Sequence, residues 1–143
     1  MQIRPFADGD TEAVVALWRA SGITRPWNDP YRDIARKQAV QPELFLVAEE
    51  TDVVVGTAMA GYDGHRGWLS YLAVAPERQR SGIGRALVRE VEERLRALGC
   101  PKLNLQVRGG DEGLISFYRA LGFAPDDVVS LGHRLIPDGT PGA

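Results

Sequence analysis

The chain has 143 residues, 44% of them hydrophobic and 25% charged, with a formal net charge of −2. Those proportions are close to the averages for one globular domain, which excludes a wholly disordered chain and a general nucleic-acid binder. The single cysteine, Cys100, excludes an intrachain disulfide and a multi-cysteine metal site, and His65 and His133 show no metal-ligand spacing. The longest nearly apolar stretch, Val53 to Ala60, is too short to span a bilayer, and Met1-Gln2-Ile3-Arg4-Pro5 has no apolar signal-peptide core. The expectation is a small cytoplasmic domain over residues 1–137, a monomer or homodimer that binds no metal, nucleic acid or membrane. A Pro- and Gly-rich flexible tail follows at 138–143.

Gln2 to Pro5 reads as a short strand. Asp8 or Asp10 offers an N-cap, Val14, Leu17 and Trp18 follow at helical spacing, and Gly22 stops that helix. Arg25-Pro26-Trp27-Asn28-Asp29-Pro30 is a loop, with Asp29 capping a second helix that runs to about Val40. Leu44 to Ala48 is a buried strand. Thr51-Asp52 turns it into a partner over Val53 to Tyr62, where Gly56 signals a bulge or a close backbone approach. Asp63-Gly64 turns again into a strand over Trp68 to Ala75. Ile83, Leu87, Val91, Leu95 and Leu98 form one helical stripe, closed by Gly99 with Pro101 beyond it. Lys102 to Val107 alternates as a strand, Leu114 to Leu121 forms another helical stripe closed by Gly122, and Val129, Leu131, His133 and Leu135 alternate as a last strand. The order β-α-α-β-β-β-α-β-α-β indicates an α+β domain built on a mixed, mostly antiparallel sheet flanked by helices.

The segment Val74 to Leu87 carries the most chemistry. A strand runs into a turn, Gln79-Arg80-Ser81-Gly82-Ile83-Gly84-Arg85, that opens an amphipathic helix. The first turn of a helix has unpaired N–H groups and a partial positive charge. Gly82 and Gly84 let an anion approach the backbone, and Arg78, Arg80 and Arg85 add charge, so the turn suits a pyrophosphate. A plain loop with incidental glycines is the competing reading. A P-loop is rejected because no Lys follows the glycines, and a dinucleotide-binding turn because Leu87 stands where a small residue is needed.

Gln79-x-x-Gly82-x-Gly84 resembles the Q/R-x-x-G-x-G/A signature of the GCN5-related N-acetyltransferases (GNAT). Tyr71-Leu72-Ala73-Val74-Ala75-Pro76 before it and Phe117-Tyr118-Arg119-Ala120-Leu121-Gly122-Phe123 after it also resemble that family, and the likeness runs from Ile3 to about Ile136. Arg25 to Pro30, Gly61 to Gly67 and Gly99 to Lys102 resemble its bacterial YpeA subgroup. The resemblance implies a sheet splayed between its fourth and fifth strands, with acetyl-CoA held in the split as co-substrate and no metal. It implies that the backbone of Arg80, Ser81, Gly82, Ile83, Gly84 and Arg85, with Gln79, holds the pyrophosphate. Leu72, Ala73 and Val74 would line the pantetheine arm, Leu72 and Val74 pairing with it as a strand would, and an N–H there would polarise the thioester carbonyl. Tyr118 matches the tyrosine that protonates the departing thiolate. A phenol of pKa ~10 is protonated at neutral pH and can serve a thiolate of pKa ~8.5, while packing between Phe117 and Leu121 is the purely structural alternative. Where the family often has Asn at the start of the Tyr118 helix, this chain has Asp111, which suits a helix cap better than a phosphate contact.

The implied activity is transfer of an acetyl group directly to a primary amine of a small molecule or protein. The alternative is a CoA-binding module without transfer activity. Taking a proton from the amine needs a base, and many relatives carry a Glu near the start of the fourth strand, where this chain has Trp68 and Ser70. Glu49, Asp63, His65 and Asp29 are the candidates; His65 has the suitable ordinary pKa of ~6.5 but sits in a hairpin turn. Trp27, Asn28, Asp29 and Tyr31 stand where this fold builds its acceptor pocket, and an aromatic ring beside carboxylates suits a cationic amine. Asp63 and His65 complete the acceptor candidates.

Overall fold

The computed structural model describes residues 1–139. Five strands form one sheet in chain order: β1 (Gln2–Pro5), β2 (Phe45–Glu50), β3 (Val53–Tyr62), β4 (Gly67–Val74) and β5 (Leu103–Leu105). The first four are mutually antiparallel and β4 pairs with β5 in parallel. Helix α1 (Thr11–Ala20) leads to α2 (Pro30–Ala39), α3 (Ile83–Ala97) links β4 to β5, and α4 (Glu112–Ala120) follows β5. Thr51 and Asp52 both take left-handed φ values, 50° and 63°, the geometry of a two-residue hairpin turn. No helix among the described residues is long and apolar enough to cross a membrane.

Helices cover both faces of the sheet. Val14, Val15, Leu17 and Trp18 of α1 are buried on one face, and the Trp18 ring stacks on Tyr71 with centroids 3.8 Å apart. Ile83, Leu87, Val88, Val91 and Leu95 of α3 are buried on the other. Gly56 performs both expected tasks. An extra β3 residue, Val55, breaks the register with β2 beside it, and a Cβ at Gly56 would meet Leu87 Cδ1 at 2.9 Å and the Ala73 carbonyl at 3.2 Å. Glycine therefore lets α3 sit directly on the strand.

A second bulge falls on β4. Thr57 pairs with Ala73 but Met59 with Ser70, so β4 carries one residue more than β3, and Tyr71 takes a left-handed φ of 49°. A buried polar chain fixes this bulge. Trp18 Nε1 donates to Thr57 Oγ1 at 2.9 Å, and Thr57 Oγ1 donates to the Tyr71 carbonyl at 2.8 Å.

Two expectations are corrected at the C-terminal end. Val129, Leu131, His133 and Leu135 form no strand; the chain from Phe123 to Gly139 is irregular, and Leu131 is 91% exposed. Alternation alone does not supply a hydrogen-bonding neighbour, and this stretch makes no backbone ladder with β5. Asp138 is not part of a loose tail. It is 6% exposed, pairs with Arg36 Nη2 at 2.5 Å and accepts the Asp29 N–H at 2.8 Å. Residues 140–143 of the expected tail lie outside the described residues.

Candidate active site

β4 and β5 are paired only from Gly67–Leu103 to Leu69–Leu105. Beyond that point β4 continues to Val74 with no neighbour on the β5 side among the described residues. The bulge at Tyr71 turns β4 just where the two strands part, which is a common use of an extra residue in a sheet. Ala75 donates its N–H to the Val55 carbonyl at 2.8 Å, so strand alternation directs the N–H of Val74, and that of Leu72, into the split. Ala73 is buried, facing the core.

The open edge leads into the glycine turn. Gln79 Nε2 reaches the Val74 carbonyl at 3.5 Å, and Ser81 Oγ donates to the Arg78 carbonyl, so these side chains brace the turn. Gly82 is the N-cap of α3 at φ 86°, a conformation that costs glycine little. The first backbone bond of α3 runs from Ala86 N–H to the Gly82 carbonyl, which leaves the N–H groups of Ile83, Gly84 and Arg85 without intrahelical partners. Arg80 and Arg85 are exposed with no carboxylate partner among the described residues, whereas Arg78 is taken up by Glu50 at 2.5 Å. Gly84 has a packing reason as well: a Cβ there would meet Phe117 of α4 at 3.3 Å. Phe117 thus packs α4 against the start of α3, and Tyr118, the next residue, lines a cavity of about 870 Å³ beside β5 with Leu105 and Val107.

Tyr118 is 7% exposed and T-stacked between Phe117 and Phe123, with centroids 5.1 and 5.4 Å away. Burial alone pushes its pKa up to about 12, so the hydroxyl stays protonated at neutral pH. Asp111 accepts the Leu114 N–H at 3.0 Å as the cap of α4.

The candidate acceptor residues divide into two groups. Trp27, Asn28 and Asp29 lie between α1 and α2, and Tyr31 in the first turn of α2, at the split end of the sheet. Ser21, which closes α1, reaches the Val74 carbonyl at 3.4 Å, and Arg108, just past β5, lies over the Trp27 ring at 5.6 Å. Asp29 caps α2 through the Tyr31 and Arg32 N–H groups, Asn28 accepts from Arg134 at 2.5 Å, and the Tyr31 hydroxyl donates to Glu12 at 3.1 Å. Asp63 and His65 are in the β3–β4 turn at the opposite end of β4, roughly 20 Å along the strand at ~3.3 Å per residue. There Asp63 accepts the N–H groups of Arg66 and His65, which hold its carboxyl below the usual range. The structure does not bring those two to the others, and Glu49 is occupied by Arg4 at 2.6 Å.

Asp33 and Tyr71 are the pair that sequence reasoning missed. The Tyr71 hydroxyl donates to Asp33 Oδ2 at 2.5 Å, and burial followed by this bond raises the tyrosine pKa. Both line a cavity of about 340 Å³ between α2 and β4, with Lys37, Met59 and Ser70. Burial lowers the pKa of Lys37 there. Tyr71 lies within a recognised motif, but nothing in the sequence links it to Asp33, 38 residues away.

A mixed sheet that splits between β4 and β5 beside an N–H-lined turn defines the class of fold. Residues 12–123 match the model of the acetyltransferase (GNAT) family, and the chain belongs to that family. It is 50% identical over 139 residues to "Acetyltransferase SG1711" of Sodalis glossinidius, covering 96% of this chain and 98% of that one. Among solved structures it resembles the ribosomal-protein-alanine N-acetyltransferase of Brucella melitensis, at 29% identity and a TM-score of 0.71, over 85% of this chain and 83% of that one. It shares the fold of the PaiA N-acetyltransferase from Thermoplasma acidophilum in complex with coenzyme A, at 22% identity and a TM-score of 0.71, over 90% and 92% of the two chains.

Proposed function

We propose that this chain transfers an acetyl group from acetyl-CoA directly to a primary amine of a small molecule or protein. The observation that carries the reading is the free edge of β4 from Tyr71 to Val74, followed after the turn at 75–82 by the unpaired N–H groups at the start of α3. Acetyl-CoA supplies an activated thioester when bound. The residues fit that group: the Ile83, Gly84 and Arg85 N–H groups with Arg80 and Arg85 suit its pyrophosphate, and Gln79 and Ser81 hold the turn in shape. Leu72 and Val74 N–H groups would offer ladder bonds to an extended arm, and such an N–H would stabilise negative charge on a thioester oxygen.

Tyr118, protonated at neutral pH, would supply the hydrogen bond that the departing sulfur needs. Complete proton transfer from a group at about 12 to a thiolate of pKa ~8.5 is uphill by roughly 5 kcal/mol, so its contribution is made while the carbon–sulfur bond is breaking. Trp27, Asn28, Asp29 and Tyr31 border the acceptor side, beside Asp33, which pairs with Arg36 at 3.2 Å and accepts from the Tyr71 hydroxyl. The same reading places the chain in the YpeA subgroup and in the cytoplasm. A CoA-binding module without transfer is the second reading, favoured by Trp68 and Ser70 at the start of β4, where a basic carboxylate is absent.

A thermal-shift titration with acetyl-CoA, CoA and NAD tests the proposal. At 100 times the dissociation constant a ligand adds ~2.7 kcal/mol. For a domain of this size that is a rise of roughly 5–10 °C, expected for both CoA species and not for NAD. No rise with acetyl-CoA overturns the cofactor reading. A rise without turnover on a panel of amines supports the second reading.

A further inference from the structure

The cavity between α2 and β4 has a charge pattern of its own. Ser70 and Tyr71 are successive residues of β4, yet both line it, because the left-handed Tyr71 interrupts the alternation that would set them on opposite faces. Cross-strand pairing puts Met59 of β3 beside Ser70. Lys37 of α2 forms the facing wall, and its Nζ lies 3.7 Å from where a Cβ at Gly61 of β3 would stand.

Asp33 is the carboxylate that lines this cavity, and both of its oxygens are engaged. One accepts from the Tyr71 hydroxyl and the other from Arg36. Arg36 is balanced in turn by Asp33 and Asp138. Lys37 is left as the uncompensated charge. It is half-buried, and no carboxylate bonds its ammonium among the described residues; Glu43 acts on it only at a distance. Burial lowers its pKa, the behaviour of an ammonium that has lost water and gained no counter-ion. Ser70 is exposed on the opposite wall, with its hydroxyl unengaged among the described residues. A cation and a hydroxyl facing one cavity can both donate to an anion.

We propose that this cavity is an anion subsite for the acceptor, in which Lys37 and Ser70 hold a carboxylate that the acceptor carries in addition to its amine. The inference rests on the acetyl-transfer reading for the place of the amine. Tyr71 begins the free edge of β4, and the Leu72 N–H beside it points into the split. A carboxylate at Ser70 therefore stands two residues, roughly 7 Å, from an amine at Leu72. A volume of about 340 Å³ is at the small end of ligand pockets, which suits a small amino acid. In the reaction the amine nitrogen bonds to the acetyl carbon and the carbon–sulfur bond breaks. One proton of the ammonium ends on the CoA thiol, a second goes to water, and the carboxylate is unchanged.

The test reads binding and transfer separately. The chain has two methionines, Met1 and Met59, so the carbon-13 methyl signal of Met59 reports on the cavity in the full-length protein. With CoA present, the probes are the unbranched ω-amino carboxylates from glycine to 6-aminohexanoate, each beside its own amide. At least one carboxylate should shift the Met59 signal with a dissociation constant ~10-fold or more below that of its amide. Lys37→Met keeps the side-chain length and should abolish that preference, whereas Lys37→Arg, which keeps the charge, should retain it. A parent protein with no preference for any carboxylate over its amide overturns the proposal, and so does a preference that survives Lys37→Met. Thiol release from acetyl-CoA with the same probes tests transfer. Carboxylate preference without release upholds the subsite and counts against the transfer reading; release without preference does the reverse.

Discussion

Replacing Thr57 by valine tests the account of how the sheet is opened. The side chains are nearly equal in size, but the hydroxyl is lost. Thr57 and Trp18 are both 0% exposed, and the hydroxyl accepts from Trp18 Nε1 at 2.9 Å and donates to the Tyr71 carbonyl at 2.8 Å. Thr57→Val would leave one donor and one acceptor without partners in a dry site, at about 1–3 kcal/mol each. The expected loss is therefore about 2–6 kcal/mol, a large share of the 5–15 kcal/mol typical of a domain. Thermal unfolding followed by circular dichroism should show a fall in Tm on the order of 10 °C. Thr57→Ser keeps the hydroxyl, loses one methyl group and should cost only about 1 kcal/mol. The rise in Tm produced by acetyl-CoA should also shrink in the valine variant and persist in the serine variant, because the Tyr71 carbonyl is what holds the bulge at the split. A valine variant within about 1 kcal/mol of the parent, or a serine variant equally damaged, would refute the reasoning.

Tyr118→Phe should lower kcat by about 100-fold, the lower end of acid–base contributions, with the acetyl-CoA dissociation constant nearly unchanged; steady-state kinetics beside the thermal shift will separate the two, and equal turnover removes the hydroxyl from the chemistry. The same variant has a pH signature. A folded pKa of about 12 against an ordinary ~10 contributes stability that is fully present below pH ~10 and lost as pH rises towards 12, so the phenylalanine variant should lose less Tm than the parent between about pH 9 and 11. At acid pH the sign reverses for Asp138, which Arg36 and the Asp29 N–H hold down to about 2. Its contribution is present above pH ~4 and lost as pH falls towards 2, so Asp138→Asn should flatten the acid side of a Tm–pH curve; an unchanged curve would show that the clamp adds nothing.

Much of this architecture was legible because local chemistry and tertiary structure agree. Gly22, Gly99 and Gly122 end their helices with positive φ, and Asp29 and Asp111 begin theirs with side-chain caps, as their residue types suggest. The turn from Gln79 to Arg85 was legible for the same reason. The β4 bulge was not, since tyrosine rarely takes a left-handed φ and Tyr71 does so because Thr57 and Trp18 hold it there. Asp63 and His65 stood close to β4 in sequence yet belong to its far end, because sequence distance along a strand is spatial distance. Val129 to Leu135 had the rhythm of a strand, but rhythm fixes which face is apolar and says nothing of which edge is within reach.

The clamp on Asp29 also sets an order of assembly. Asp138 is synthesised 109 residues after the N–H it captures. At about 5–20 residues per second the loop that carries Trp27 and Asn28 waits roughly 5–20 s on the ribosome for that anchor. During that interval β1 to β4 and the whole of α1 can pack, while the rim that borders the acceptor side has yet to receive its tie. A nascent chain that ends before Asp138 thus lacks the tie that fixes this rim.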